Sequence, residues 1–368
     1  TPEEWTEEHK MIAGMCEDFI HQEIIPHLDR IDSLEEGLMP SLLKKAGDLG
    51  LLGLSVPEEY GGMGVDFKTT LLATEYLGLG FSFSVAYGAH TGIGTLPLLY
   101  YGNTEQKNKY VAKLASGEWA AAYCLTEPSS GSDANSGKTK ADLSEDGSHY
   151  TINGQKMWIT NGGFANLFTV FAKIEDDENL TAFLVEADSE GITLNPEEKK
   201  MGIKGSSTRQ VFFNNVKVPV ENMLSDRGNG FKIALNILNI GRIKLGAAVM
   251  GGAKGGIDES IKYALEREQF GRSISKYGAI RYKLAEQVIQ TYAVESATYR
   301  AGQNIDDAIK GLMESGMDKA QATLKGIELF APECAVIKVA GSECCLLYTS
   351  DAADDSLRVD LGGRRIIK

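Results

Sequence analysis

The hydrophobic period of this chain changes twice, from helical to alternating near Trp119 and back to helical after Gly230. That ordering commits the chain to helices, then strands, then helices before any motif is considered. In the first stretch Ile12, Met15, Phe19 and Ile20 recur at spacings of three and four and share one helix face. Leu42, Leu43, Ala46 and Leu49 repeat the pattern up to Gly50, and Tyr110, Val111 and Leu114 do so before Gly117, each glycine suited to a left-handed helix stop. In the middle, Phe168, Val170 and Ala172 alternate with Thr169 and Phe171, Phe183 and Val185 flank Leu184, and Val216 and Val218 flank Lys217, which predicts strands. The pair Asn153-Gly154 between two strand-like runs predicts a two-residue hairpin turn. After Gly230, Phe231, Leu235, Leu238, Leu245 and Val249 predict one long helix and Ile280, Leu284, Val288 and Tyr292 another. The pattern stops at Gly341.

The resulting fold class is α+β multidomain. An N-terminal helical domain is expected at 1–118, a middle β-barrel or sandwich domain at 119–225 and an incomplete C-terminal helical bundle at 226–343. A tail at 344–368, with clustered aspartates and a basic end at Arg364 and Arg365, reads as unrelated to the fold. The length of 368 residues suits two or three domains of about 100 to 200 residues each. A net charge of -14 has the wrong sign for neutralising phosphates over a broad surface, so nucleic acid is not an expected partner. No run of about 18 apolar residues appears and the first residues read as a charged amphipathic helix, so no transmembrane segment and a soluble, intracellular protein are expected. Cys16, Cys124, Cys334, Cys344 and Cys345 form no CxxC pair and are expected to be reduced. The scattered His9, His21, His27, His90 and His149 offer no metal site.

Three segments hold the residue types of a cofactor site. The run from Tyr123 to Asp133 is a strand that breaks into a Pro, Ser and Gly loop, whose backbone N–H groups and hydroxyls suit a heteroaromatic edge or a phosphate. The run from Lys156 to Gly162 carries Trp158 among β residues, ending in a turn. Either its indole is core or, beside the first loop, it walls a planar group. Arg267-Glu268-Gln269-Phe270-Gly271 follows a helix with Ile257, Ile261 and Leu265 on one face. Two glycine clusters, Gly61-Gly62-Met63-Gly64 and Gly251 to Gly256, lack the strand–loop–helix setting of a nucleotide fingerprint and are assigned to turns and close helix packing.

In this order and spacing the segments resemble the acyl-CoA dehydrogenase family, from about Trp5 to Glu343, with further matches at Pro57 to Gly62 and Met201 to Arg209. Ile240-Gly241-Arg242 is most similar to the very-long-chain branch and its bacterial relatives. The resemblance implies FAD as cofactor, with Tyr123, Leu125, Thr126, Gly131 and Ser132 along one side of the flavin and Trp158, Ile159 and Thr160 on the other. It implies Arg267, Phe270, Tyr277 and Gly278 at the adenine and pyrophosphate of an FAD held mainly by a neighbouring subunit. Ser132, Asn239 and Arg242 would meet the acyl-CoA.

The implied reaction is α,β-dehydrogenation of a fatty acyl-CoA to a trans-2-enoyl-CoA, with electrons passed to an electron-transfer flavoprotein. The full-length form would be a homodimer or homotetramer in a bacterial cytoplasm or a mitochondrial matrix. Some members carry the α-proton base immediately before the arginine matching Arg242, where this chain has Gly241; the others carry it in a late aromatic-Glu-Gly-Thr motif not found here. No catalytic residue is therefore assigned, and the chain is expected to be truncated and inactive. An acyl-CoA oxidase and a non-catalytic flavin or acyl-CoA binding assembly protein are the alternatives.

Overall fold

Local signals set where the helices begin. Thr6 Oγ1 accepts from the His9 N–H at 3.3 Å while His9 Nδ1 accepts from the Thr6 N–H at 3.1 Å, a reciprocal cap that starts α1 (Glu7–Phe19). There follow α2 (Leu28–Asp32), α3 (Leu38–Asp48), α4 (Phe67–Leu77) capped by Asp66, α5 (Ser82–Gly88), α6 (Leu96–Tyr101) and α7 (Thr104–Ala115) capped by Asn103. The computed structural model describes residues 5–352. Ile12, Phe19 and Ile20 are buried together with Leu42, Leu43 and Ala46, as their spacing predicts. Gly50 and Gly117 take φ of 77° and 70°, the left-handed stops expected of them.

The alternating stretch folds into β1 (Ala121–Cys124), β2 (Lys140–Leu143), β3 (His149–Thr160), β4 (Leu167–Ile174), β5 (Thr181–Glu186), β6 (Ile192–Leu194), β7 (Thr208–Pro219) and β8 (Met223–Leu224). They form one sheet in the order β6-β7-β3-β2-β4-β5-β8, with β1 parallel to β4. The sheet curls around an interior of Ile152, Phe168, Val170, Phe183, Val185, Val211, Val216 and Val218. Leu167 and Phe171 on the other face of β4 join the core shared with the helices, so β4 is buried on both faces. The expected hairpin turn at Asn153-Gly154 is not formed. β3 runs straight through, and the pair is a bulge where the β3–β7 register shifts between Ile152 and Gly154. A Cβ at Gly154 would lie 2.4 Å from Thr139 Oγ1, so glycine permits the neighbouring chain to approach, while Asn153 Oδ1 accepts from the Asn215 N–H at 2.8 Å.

The bundle comprises α8 (Gly230–Glu266), a short hairpin of β9 (Glu268–Gln269) and β10 (Arg272–Ser273), then α9 (Gly278–Glu314), α10 (Lys319–Leu329) and α11 (Ala331–Ala352). By length and composition α8 could cross a membrane, but half of its apolar window is buried, and here it is the central helix. The stripe expected to be its core face is corrected. Leu235 and Leu245 are each 41% exposed, while Ile233, Ile237, Ile240, Ile243 and Met250 are buried. The true contact face is partly glycine. A Cβ at Gly251 would fall 2.0 Å from the Glu75 carbonyl oxygen of α4, one at Gly78 2.1 Å from the Ala248 carbonyl oxygen, and one at Gly246 2.4 Å from Ile337. On α9 the expected stripe also turns outward at Val288 and Tyr292, and Thr291, Val294, Thr298 and Tyr299 are buried instead.

The pattern does not stop at Gly341, nor does the fold break after Glu343. α11 continues to Ala352, a Cβ at Gly341 would lie 2.8 Å from Val249, and Cys344 is buried beside Met250, Ala253, Ile257 and Val294. Cys334, Ile337, Gly341 and Cys344 step by three and four, so one helix face crosses the boundary expected for the tail. The rest of that tail, 353–368, including Arg364 and Arg365, lies outside the described residues.

His90, fully buried, joins the units: its Nδ1 accepts from the Ala121 N–H at 3.0 Å and its Nε2 meets the Leu114 carbonyl at 3.0 Å. Burial holds its pKa down to about 4, against an ordinary 6.5. Below pH 6.5 the unfolded chain takes up this proton and the folded chain does not, so stability present above that pH is lost as pH falls toward 4, by about 3 kcal/mol. Asp306 acts in the opposite sense. Burial raises it to about 6 although it accepts from the Phe67 and Lys68 N–H groups, so its proton uptake favours the fold below that pH. Urea unfolding of His90→Asn between pH 7 and 4.5 is expected to lose less stability on acidification than the parent; equal slopes would remove His90 from the account.

Candidate flavin site

The strand β1 leads directly into the first loop. Leu125 is buried, Thr126 is half-buried, and Pro128, Ser129, Gly131 and Ser132 are exposed. Glu127 and Ser130 exchange two backbone hydrogen bonds of 3.1 Å, and Ser130 Oγ donates inward to the Asp133 carbonyl at 2.7 Å, which closes the loop. The ring of Tyr123 points elsewhere, into the core with Phe171, Ile237 and Ile240. Its hydroxyl is buried with no hydrogen-bond partner among the described residues, and burial beside Tyr101 raises its pKa well above the phenol range.

The second segment lies against the first. The Met157 N–H donates to the Thr126 carbonyl at 2.8 Å, and Lys156 Nζ donates to the Leu125 carbonyl at 3.1 Å. The β3–β7 register shifts again between Lys156 and Ile159. Within this bulge Trp158 takes φ of 62° and leaves its indole 55% exposed, while Ile159 is buried and Thr160 half-buried. A bulky aromatic in the left-handed region costs about 1–3 kcal/mol, and such strain gathers at ligand sites. The bulge turns out of the core an indole that unbroken alternation would have placed by strand parity alone. Asn161, also at positive φ (64°), is buried and donates from Nδ2 to the Ala86 carbonyl at 2.9 Å, fastening the segment to α5.

The remaining residues lie on the bundle. Arg267 ends α8, and Phe270 and Gly271, at φ of 53° and 78°, form the two-residue turn between β9 and β10. Phe270 is 93% exposed, its ring is edge-on to Tyr277, and the Arg272 guanidinium lies 4.3 Å over the Tyr277 ring. The bonds holding this hairpin are local, with Tyr277 Oη donating to the Gln269 carbonyl and Ser273 Oγ to that of Ala264; Gly278 opens α9 beside it. On α8, Arg242 Nη1 donates to Asn239 Oδ1, and the helix that carries them shares the core with Tyr123 and Leu125. Leu125, Thr126, Trp158, Ile159 and Thr160 thus lie on two segments bonded to each other, and Arg267, Phe270, Tyr277 and Gly278 lie apart on a separate hairpin.

Sequence reasoning assigned no role to the pair that joins the two segments. Lys156 is wholly buried with its Nζ 2.7 Å from Glu127 Oε1, and Glu127 also accepts from the Lys138 and Thr139 N–H groups at 2.6 and 3.1 Å. Burial works against both charges, yet the Lys156 ammonium and these donors hold the Glu127 carboxyl below its usual range. A lysine and a glutamate inside otherwise apolar strand ends were the available signal.

Fold and site together define a three-unit protein whose central sheet displays a strained indole beside a hydroxyl-bearing loop. Comparison with known proteins identifies its lineage. The acyl-CoA dehydrogenase N-terminal, middle and C-terminal domain families match residues 6–118, 122–216 and 228–352. A probable acyl-CoA dehydrogenase of Bacillus subtilis is 47% identical over 343 residues, covering 93% of this chain and 58% of that protein. The human very long-chain specific acyl-CoA dehydrogenase, mitochondrial, is 41% identical over 349 residues, covering 92% and 49%. The crystal structure of an acyl-CoA dehydrogenase complexed with FAD from Bacillus anthracis superposes with a TM-score of 0.93 at 46% identity, covering 96% of this chain and 60% of that one. The chain belongs to the acyl-CoA dehydrogenase family. It spans about half the length of the curated relatives it matches.

Proposed function

We propose that the chain binds FAD and serves the α,β-dehydrogenation of a fatty acyl-CoA, with an electron-transfer flavoprotein as acceptor. The observation that carries this reading is the strained, exposed Trp158 fixed against the Thr126 loop. The donor set fits a flavin: the hydroxyls of Thr126 and Ser132 have no protein partner among the described residues, and the indole offers a planar wall. Leu125, Thr126, Gly131 and Ser132 would hold the ring edge and phosphate, and Trp158, Ile159 and Thr160 the face. When bound, FAD supplies the hydride acceptor. Asn239 and Arg242 would orient the thioester, and Gly241 beside them has no side chain with which to take the α-proton.

Arg267, Phe270, Tyr277 and Gly278 are proposed to reach the FAD of a second copy. The outward apolar row of Tyr282, Val288, Ile289 and Tyr292 on α9 supports a homo-oligomer. The proposed settings are a bacterial cytoplasm or a mitochondrial matrix, from the relatives named above. Titration of the chain with FAD by flavin fluorescence tests the site. Trp158→Ala and Thr126→Ala are each expected to weaken binding about tenfold, the worth of one aromatic contact or hydrogen bond. Unchanged binding in both variants would show that the flavin has been assigned to the wrong residues.

A further inference from the structure

We propose that the buried Lys156–Glu127 pair is a positioning device that fixes the Leu125–Glu127 backbone for the flavin edge, a proposal that rests on the flavin reading above. Two consecutive β3 residues, immediately before Trp158, grip three consecutive loop residues. Lys156 Nζ donates to the Leu125 carbonyl at 3.1 Å, the Met157 N–H donates to the Thr126 carbonyl at 2.8 Å, and Lys156 Nζ meets Glu127 Oε1 at 2.7 Å. On its far side Glu127 accepts from the Lys138 and Thr139 N–H groups, so the carboxylate also anchors the segment that leads into β2. Both side chains are almost wholly buried, at 0% and 4% exposed.

An ion pair so deeply buried is a poor source of stability, because desolvation offsets most of the attraction and a neutral pair of similar shape often serves a fold as well. What the charges add is direction. The ammonium has three donors at fixed angles, and the carbonyl and carboxylate it meets belong to residues on either side of Thr126. Thr126 is therefore held through its neighbours and through its own carbonyl, while its hydroxyl stays unpaired among the described residues. The pair and the indole are set by one segment of β3, so the loop edge and the flavin wall share a single frame.

The test is the full chain carrying Lys156→Met with Glu127→Gln, compared with the parent and with Trp158→Ala. The glutamine keeps one acceptor oxygen where the Lys138 and Thr139 amides use two, so a moderately lower urea midpoint is expected. While still folded, the double variant is expected to bind FAD about tenfold more weakly, a loss equivalent to one directed hydrogen bond. The Met157 amide should exchange faster in the FAD-free double variant than in the parent. Should the double variant fail to fold, Lys156→Met alone is measured, which leaves Glu127 its two backbone N–H donors, and the same loss of affinity is expected. Parent-like FAD affinity in a folded double variant, with Trp158→Ala still impaired, overturns the positioning role and leaves the flavin reading standing. A parent that takes up no FAD overturns both.

Discussion

Gly241→Glu is expected to raise the dehydrogenase activity of the chain. A positioned general base contributes about 10² to 10⁴ in rate, and the gain should fall in that range. The family resemblance places the base of some members immediately before the arginine matching Arg242, and the geometry leaves room for one. A Cβ at Gly241 meets nothing nearer than Ile93 Cγ2 at 4.0 Å, on a face of α8 that is only half-buried. Replacing glycine inside a helix also favours the helix by about 0.5–1 kcal/mol, so stability does not oppose the change. The measurement is oxidation of a saturated acyl-CoA with FAD and an artificial electron acceptor, beside Gly241→Gln, which has the same shape and no basicity. A parent already as fast as the glutamate variant, or a glutamine variant equal to the glutamate one, would refute the assignment.

The largest loss of stability is expected at the crossing of α4 and α8. Gly251 and Gly78 sit on opposite sides of that crossing, and each has a backbone carbonyl of the other element about 2 Å from where its Cβ would be. No rotamer relieves a clash between backbones; the helices must part. Gly251→Leu should cost about 3 kcal/mol or more by urea unfolding. Gly252→Ala, at a neighbouring position with open space around it, should be neutral or slightly stabilising. Similar losses for the two would mean that helix propensity and not the crossing governs.

These two glycines also explain how much of the molecule was legible in the sequence. The helix, sheet, helix order was readable because Ile12, Phe19, Phe168 and Val170 are buried at the periods their elements impose. The faces of α8 and α9 were not, because a search for large apolar residues passes over Gly246 and Gly251, where the absence of a side chain makes the contact, and counts Val288 and Tyr292, which face outward. The Asn153-Gly154 signal was local and true to its residue types, yet β7 pairs with β3 on both sides of it and converts a turn into a bulge. At the candidate site, Thr126 and Trp158 were singled out by motif. Lys156 was missed because only the fold brings a residue 29 positions away, Glu127, within reach of its ammonium.

The core that holds α8 bears on how the protein comes apart. One continuous apolar cluster takes in Leu72 and Leu99 of the first unit, Leu167 and Leu184 of the sheet, and Ile237 and Ile305 of the bundle. The three family-matched segments therefore share their interior even though they are separate along the chain. Cooperative units follow shared interiors. Heating or denaturant should abolish the far-ultraviolet helix signal and the sheet in one transition, and a sheet excised at its sequence boundaries would expose Leu167, Phe171 and Leu184 to water and associate with itself.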